Sequence, residues 1–84
     1  MPTIIYIVEK RGMAVVEIES NLCSVIEYNP TDELNIGDPV TGDFKTEGST
    51  LIFNENSYNE MAVTVQNACI GENIAKERAF LFKK

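Results

Sequence analysis

The sequence predicts an all-β domain, or a β domain with one C-terminal helix, built as a small, partly open antiparallel barrel of five to six strands. Three observations lead there. Short segments rich in β-branched and aromatic residues follow one another, most with apolar side chains at every second position. Clusters of Gly, Pro, Asn and Asp separate them. The chain has 84 residues, enough for a single domain whose core is marginal. Curling such an apolar sheet on itself removes the unpaired edges that invite aggregation.

Residues 3–10 (TIIYIVEK) are apolar on both sides, as in a strand covered on two faces. Gly12 provides a reversal with positive φ. In residues 13–19, Ala14, Val16 and Ile18 share one face and Glu17 and Glu19 the other. Ser20-Asn21 turns the chain again, because Asn tolerates the left-handed region. Residues 22–28 continue a three-strand meander, with Ile26 and Tyr28 on the core side. Such short connections require antiparallel pairing.

Asn29-Pro30-Thr31-Asp32 is a turn, followed by a short helical turn at Asp32-Glu33 and by Leu34 and Ile36 as plugs for the end of the core. The fourth strand is expected over residues 40–46, with Val40, Gly42 and Phe44 on one face. A glycine at position 42 marks a bend or a close approach. Strand five is expected over 49–53. Strand six is expected over 60–66, with Met61, Val63 and Val65 inward. A helix near 72–82 closes the chain, and a seventh strand over 78–82 is its alternative.

Charge and composition remove several functions. The net charge of −6 is uneven: residues 1–75 hold Lys10, Arg11 and Lys45 against twelve acids, and residues 76–84 hold Lys76, Arg78, Lys83 and Lys84 against Glu77. Nucleic-acid affinity rests on neutralising phosphates, so an acidic body disfavours that partner. There is no histidine, which removes imidazole bases and the triads built on them. The N-terminus lacks the basic, apolar pattern of a signal peptide, and no apolar run approaches a membrane span. The expected setting is the cytoplasm, with reduced thiols.

Candidate chemistry is sparse. Asp32, Glu33, Asp38 and Asp43 surround the central turn, and Asn54, Glu55, Asn56 and Asn59 form a second oxygen-rich loop. A cation or small-molecule site at the first group is one reading; neither group has the spacing of an EF-hand, and these residue types serve turns. Cys23 and Cys69 are read as buried structural cysteines, with their pairing open. Phe44 and Phe53 are assigned to the core, and Tyr58 is the aromatic expected to stand exposed. Phe80, Leu81 and Phe82 are more apolar than one helix face needs, so they either cap the barrel or pack on another subunit.

The motif Leu34-x-x-Gly37-Asp38-x-Val40-x-Gly42 resembles the turn-and-strand motif of small barrels, including OB-fold modules of the ribosomal-protein type. It spans about nine residues. In that family the motif opens the barrel, whereas here three strands precede it. The resemblance implies barrel-like architecture and carries over no binding residues.

The functional expectation is therefore a non-catalytic interaction or assembly module, not an enzyme. No catalytic, cofactor or metal residues are assigned. Its partner would be a second copy in a homodimer or another protein, with no membrane partner. Tyr58, Phe80, Leu81 and Phe82 are the candidate surface. An OB-like nucleic-acid-binding module is the alternative.

Overall fold

The computed structural model describes residues 1–81. Its strands are β1 (Thr3–Val8), β2 (Met13–Glu19), β3 (Leu22–Tyr28), β4 (Val40–Thr41), β5 (Gly48–Asn54) and β6 (Asn59–Ile70), followed by helix α1 (Glu72–Leu81). They form one antiparallel sheet in the order β1-β2-β3-β6-β5-β4. The predicted half-barrel-like sheet with one C-terminal helix is what the structure contains. Position 82, where the helix was expected to end, lies outside the described residues.

Local chemistry sets the meander. A 3-10 turn at Glu9–Arg11 ends on Gly12 with φ 64°, whose N–H donates to the Glu9 carbonyl at 3.0 Å. Asn21 takes φ 57° between β2 and β3. Its side-chain oxygen accepts the Glu72 N–H at 3.0 Å, so the hairpin tip also holds the first turn of α1. In β1 the register slips between Ile4 and Tyr6. The extra residue lets Ile5 and Tyr6 face the same side while Ile4 and Ile7 face the other. That is why this run reads as apolar throughout.

The sheet curls until its ends meet. Thr3 bridges Pro39, Val40 N–H donates to Pro2 O at 2.9 Å, Ile4 N–H to Asp38 O at 2.9 Å, and Gly37 N–H to Ile4 O at 2.7 Å. This is the one bridge joining β1 to the β4 side among the described residues, so the closure is partial.

Two apolar layers result. The concave side encloses Ile4, Ala14, Val16, Ile26, Val40, Ile52, Met61, Val63 and Val65, with Tyr28, Leu34 and Phe44. The convex side of β1–β3 packs Met13, Val15, Cys23 and Val25 against Ala75 and Ala79 of α1. Each fully buried Val or Ile contributes roughly 1.5–3 kcal/mol. Small alanines let the helix approach the sheet closely.

Several expectations are corrected. The fourth strand stops at Thr41. A Cβ at Gly42 would lie 2.7 Å from Ile52 Cγ2, so the backbone there presses on β5. Asp43 Oδ1 then accepts the Lys45 N–H at 3.1 Å and turns the chain away from the ladder. Phe44 returns to the core, where its carbonyl accepts Ser24 Oγ at 2.5 Å. Asp32 forms a bend and Glu33 has no regular structure, so there is no helical turn there. Leu34 is buried as expected, but Ile36 is 65% exposed, because the turn at Gly37 points it outward. Strand six runs on to Ile70, since β3 pairs with it as far as Cys23.

Gly42→Ala is expected to destabilise the fold by about 1–3 kcal/mol, measured by urea unfolding. The penalty should shrink in an Ile52→Ala background, where the clashing methyl is gone. An equal penalty in both backgrounds would show that the contact is not its origin.

Candidate functional site

The oxygen-rich loops predicted as turn chemistry meet in space. Asp38 Oδ2 accepts the Asn35 N–H and Asn54 Nδ2, each at 2.8 Å. Asp38 Oδ1 accepts Asn56 Nδ2 at 3.0 Å. Asn54 Oδ1 accepts the Asn56 N–H at 2.9 Å and the Ser57 N–H at 3.4 Å. Burial pushes the Asp38 carboxyl up, but the hydrogen bonds from Asn54, the Asn35 backbone and Asn56 outweigh it and hold the group below the ordinary carboxylate range. Both oxygens are occupied by donors of the chain itself. The cluster ties the β5–β6 hairpin to the seam. Among the described residues, no group of three or more His, Cys, Asp or Glu side chains is placed to hold a metal ion.

The two cysteines are unpaired and differ in setting. Cys23 lies under α1; burial first, then Glu17 and Glu72, raise its pKa, with Lys76 opposing. Cys69 lies in β6 with φ 58° and is exposed, which corrects its assignment as a buried structural thiol. The longer strand carries it past the core.

A depression of about 490 Å³ lies beside Tyr28 and Leu34, with Glu9, Lys10, Asp32 and Glu33 on its walls. Burial and, secondarily, the charge of Glu9 raise the Tyr28 pKa, so the phenol stays neutral at ordinary pH. The depression holds three acids and one base but no cysteine or histidine for nucleophilic work.

The sheet's convex side is more informative. Helix α1 covers β1–β3, while β5 and the start of β6 carry a different surface. Ile52 and Asn54 point inward, so Leu51 and Phe53 point out. Leu51 pairs with Ala62, and Phe53 lies between Glu60 of β6 and Thr41 of β4. Tyr58, in the hairpin turn, meets Phe53 edge-on, with ring centroids 6.4 Å apart. Tyr58 is 82% and Leu51 58% exposed. Phe53, expected in the core, instead forms the middle of this ridge, half-buried. The pattern had one available signal: Leu51 and Phe53 alternate with Ile52, so only one of the two sets fits inside.

The surface is also acidic. From Thr46 to Ala75 the chain has no Lys or Arg, and Glu47, Glu55 and Glu60 fall within or beside β5 and β6. Glu60 neighbours Phe53, and Glu55 accepts Thr41 Oγ1 at 3.1 Å.

The predicted surface residues fall into two groups. Tyr58 belongs to the β5–β6 ridge. Phe80 and Leu81 are 56% and 58% exposed at the end of α1, where Leu81 and Arg78 lie beside Gln66 and Asn67. From Gln66 back to Asn59 the strand covers about 23 Å at a rise of about 3.3 Å per residue. Phe82 lies outside the described residues.

Comparison with protein-family profiles, with curated proteins and with solved structures found no match. Among the described residues no helix is long and apolar enough to cross a membrane.

Two outcomes test this description. Asp38 has a depressed folded pKa, so its contribution is present above the unfolded value near about 3.9 and fades as pH falls through the folded one. Asp38→Asn should cost about 1–3 kcal/mol at neutral pH and flatten the acid limb of stability against pH, read by thermal melts across that range. Alkylation of the native protein should modify Cys69 promptly and Cys23 only after unfolding, read by mass spectrometry; prompt labelling of both would contradict the packing of α1.

Proposed function

We propose that the protein is a non-catalytic interaction module whose docking surface is the outer face of β5 and β6. One observation supports this above the rest: an exposed Leu51–Phe53–Tyr58 ridge stands on a surface supplied by thirty residues without a single base. Exposed apolar area rimmed by charge favours protein contact. Carboxylates beside aromatic rings favour a cationic partner, because Lys and Arg gain from both the charge and the ring face. The partner is therefore a protein segment that combines Arg or Lys with apolar side chains.

An OB-like nucleic-acid module is the second reading. The curled antiparallel sheet and the Phe53–Tyr58 pair favour it, since bases stack on exposed rings. The acidic surroundings oppose it, because a phosphate backbone would be repelled.

The test is a titration with an Arg-rich peptide containing one Phe, followed by NMR. Signals of Leu51, Phe53, Tyr58 and Ala62 should shift, and those of Tyr28 and Leu34 should stay. Leu51→Asp and Glu60→Lys should each weaken binding roughly tenfold, a change of about 1.4 kcal/mol. Shifts confined elsewhere would remove the proposal. Binding of single-stranded RNA to the same residues at low salt would replace it with the nucleic-acid reading.

A further inference from the structure

Tyr28 is a buried side chain with an unused polar end. It packs in the concave core with only 5% of its surface exposed. Its backbone N–H donates to Gly12 O at 2.8 Å, which sets it beside the 3-10 turn carrying Glu9 and Lys10. Among the described residues its hydroxyl has no hydrogen-bond partner, and the oxygen is not sealed from solvent. It opens into the depression of about 490 Å³ walled by Glu9, Lys10, Asp32, Glu33 and Leu34. The charge of Glu9 is felt at the phenol, which places the hydroxyl on that side. A buried hydroxyl is ordinarily hydrogen-bonded, so this one marks the position of a ligand's polar atom. The walls are set in advance. Asp32 N–H donates to Asn29 O at 2.9 Å, Thr31 N–H to Asn29 Oδ1 at 3.0 Å, and Asn35 N–H to Asp38 Oδ2 at 2.8 Å. Among the described residues the carboxylates of Glu9, Asp32 and Glu33 form no ion pair or hydrogen bond, and Lys10 forms no ion pair. A second depression, of about 440 Å³, shares Glu9, Leu34 and Asn35 with the first and adds Ile7 and the exposed Ile36. The two make one trough, acidic at the Tyr28 end and apolar at the other.

We infer that this trough binds a small alkylammonium ligand, with the ammonium between the Tyr28 hydroxyl and the carboxylates of Asp32 and Glu33 and the hydrocarbon chain along Leu34 toward Ile36. The site is separate from the β5–β6 docking face and does not rest on it. A neutral phenol oxygen accepts an ammonium N–H, and carboxylates strengthen the same contact by their charge. Three carboxylates against one ammonium on the walls repel an anion and favour a cation. A bare metal ion fits less well. A hard cation such as Ca²⁺ needs about six to eight oxygen ligands around one point, and no three acids of the described residues converge in that way. An organic cation is large enough to touch carboxylates on separate walls while its body covers Leu34. The space suits such a molecule, since small-molecule sites span roughly 300–1,000 Å³.

The experiment is an NMR titration of the full chain with hexylamine at neutral pH. Signals of Tyr28, Leu34 and Ile36 should shift and saturate, and those of Leu51 and Tyr58 should stay. Hexanol and hexanoate at the same concentrations should leave Tyr28 in place. The variant combining Asp32→Asn and Glu33→Gln should weaken hexylamine at least tenfold, and Tyr28→Phe, which keeps the ring, several-fold. Hexylamine should bind several-fold tighter than ethylamine, and Ile36→Ser should shrink that ratio. Circular dichroism checks that each variant is folded. Asp32 is partly exposed, and Glu33 and Ile36 lie on the surface, so their variants test the site even if Tyr28→Phe disturbs the core. Three results overturn the inference. One is the absence of a saturable shift by about 10 mM hexylamine. Another is an equal response of Tyr28 to hexanol, hexanoate or Ca²⁺. The third is binding indifferent to both Tyr28→Phe and the paired acid substitutions.

Discussion

The fold depends on how one carboxylate is satisfied. Asp38 sits where the first strand meets the fourth, and its backbone carbonyl takes the Ile4 N–H. Its side chain gathers donors from Asn35, Asn54 and Asn56. The barrel's partial closure and the position of the β5–β6 hairpin thus rest on the same residue. A buried carboxylate without those donors would carry a heavy desolvation penalty. With them it is a rigid joint between segments far apart in sequence. The joint also explains why the long connection from Asn29 to Pro39, which has little regular structure, follows a defined path.

Closure at that joint produces a sheet with three different surfaces. The concave side is filled by side chains from every strand. The convex side of β1–β3 is filled by α1. The convex side of β5 and early β6 presents Leu51, Phe53, Tyr58 and Ala62. A chain this short has one helix to offer, and it follows β6 directly and covers the strands nearest its own start. The asymmetry is a consequence of connectivity. It leaves an acidic apolar face on β5 and early β6 and exposed Ile74, Phe80 and Leu81 on the helix.

The chemistry within the structure is correspondingly quiet. The Cys23 thiol is kept protonated by burial and nearby acids. The Glu72–Lys76 pair, 2.9 Å apart and both partly exposed, steadies the first turn of α1 and contributes little more. Lys76 also lies 5.9 Å from the centre of the Tyr6 ring, which binds the helix to β1. These contacts serve packing.

The sequence alone determined the strands whose alternation is strong and the turns whose residues demand unusual backbone angles. Ala14, Val16 and Ile18, the Met61–Val63–Val65 set, Gly12 and Asn21 all behave as their local chemistry requires. Tyr58 was legible as an exposed aromatic because it stands among polar turn residues. The apolar excess at Phe80 and Leu81 was legible too, though not which residues of the helix face the sheet. Tertiary structure decided what depends on contacts distant in sequence. Thr41 ends its strand because Gly42 meets Ile52, Cys69 joins a strand because β3 pairs with Asn67 and Ile70 on either side of it, and Phe53 leaves the core because Ile52 and Asn54 occupy it. Period-two alternation separates two faces but does not say which is covered. Only the curl of the sheet and the place where the helix lands settle that.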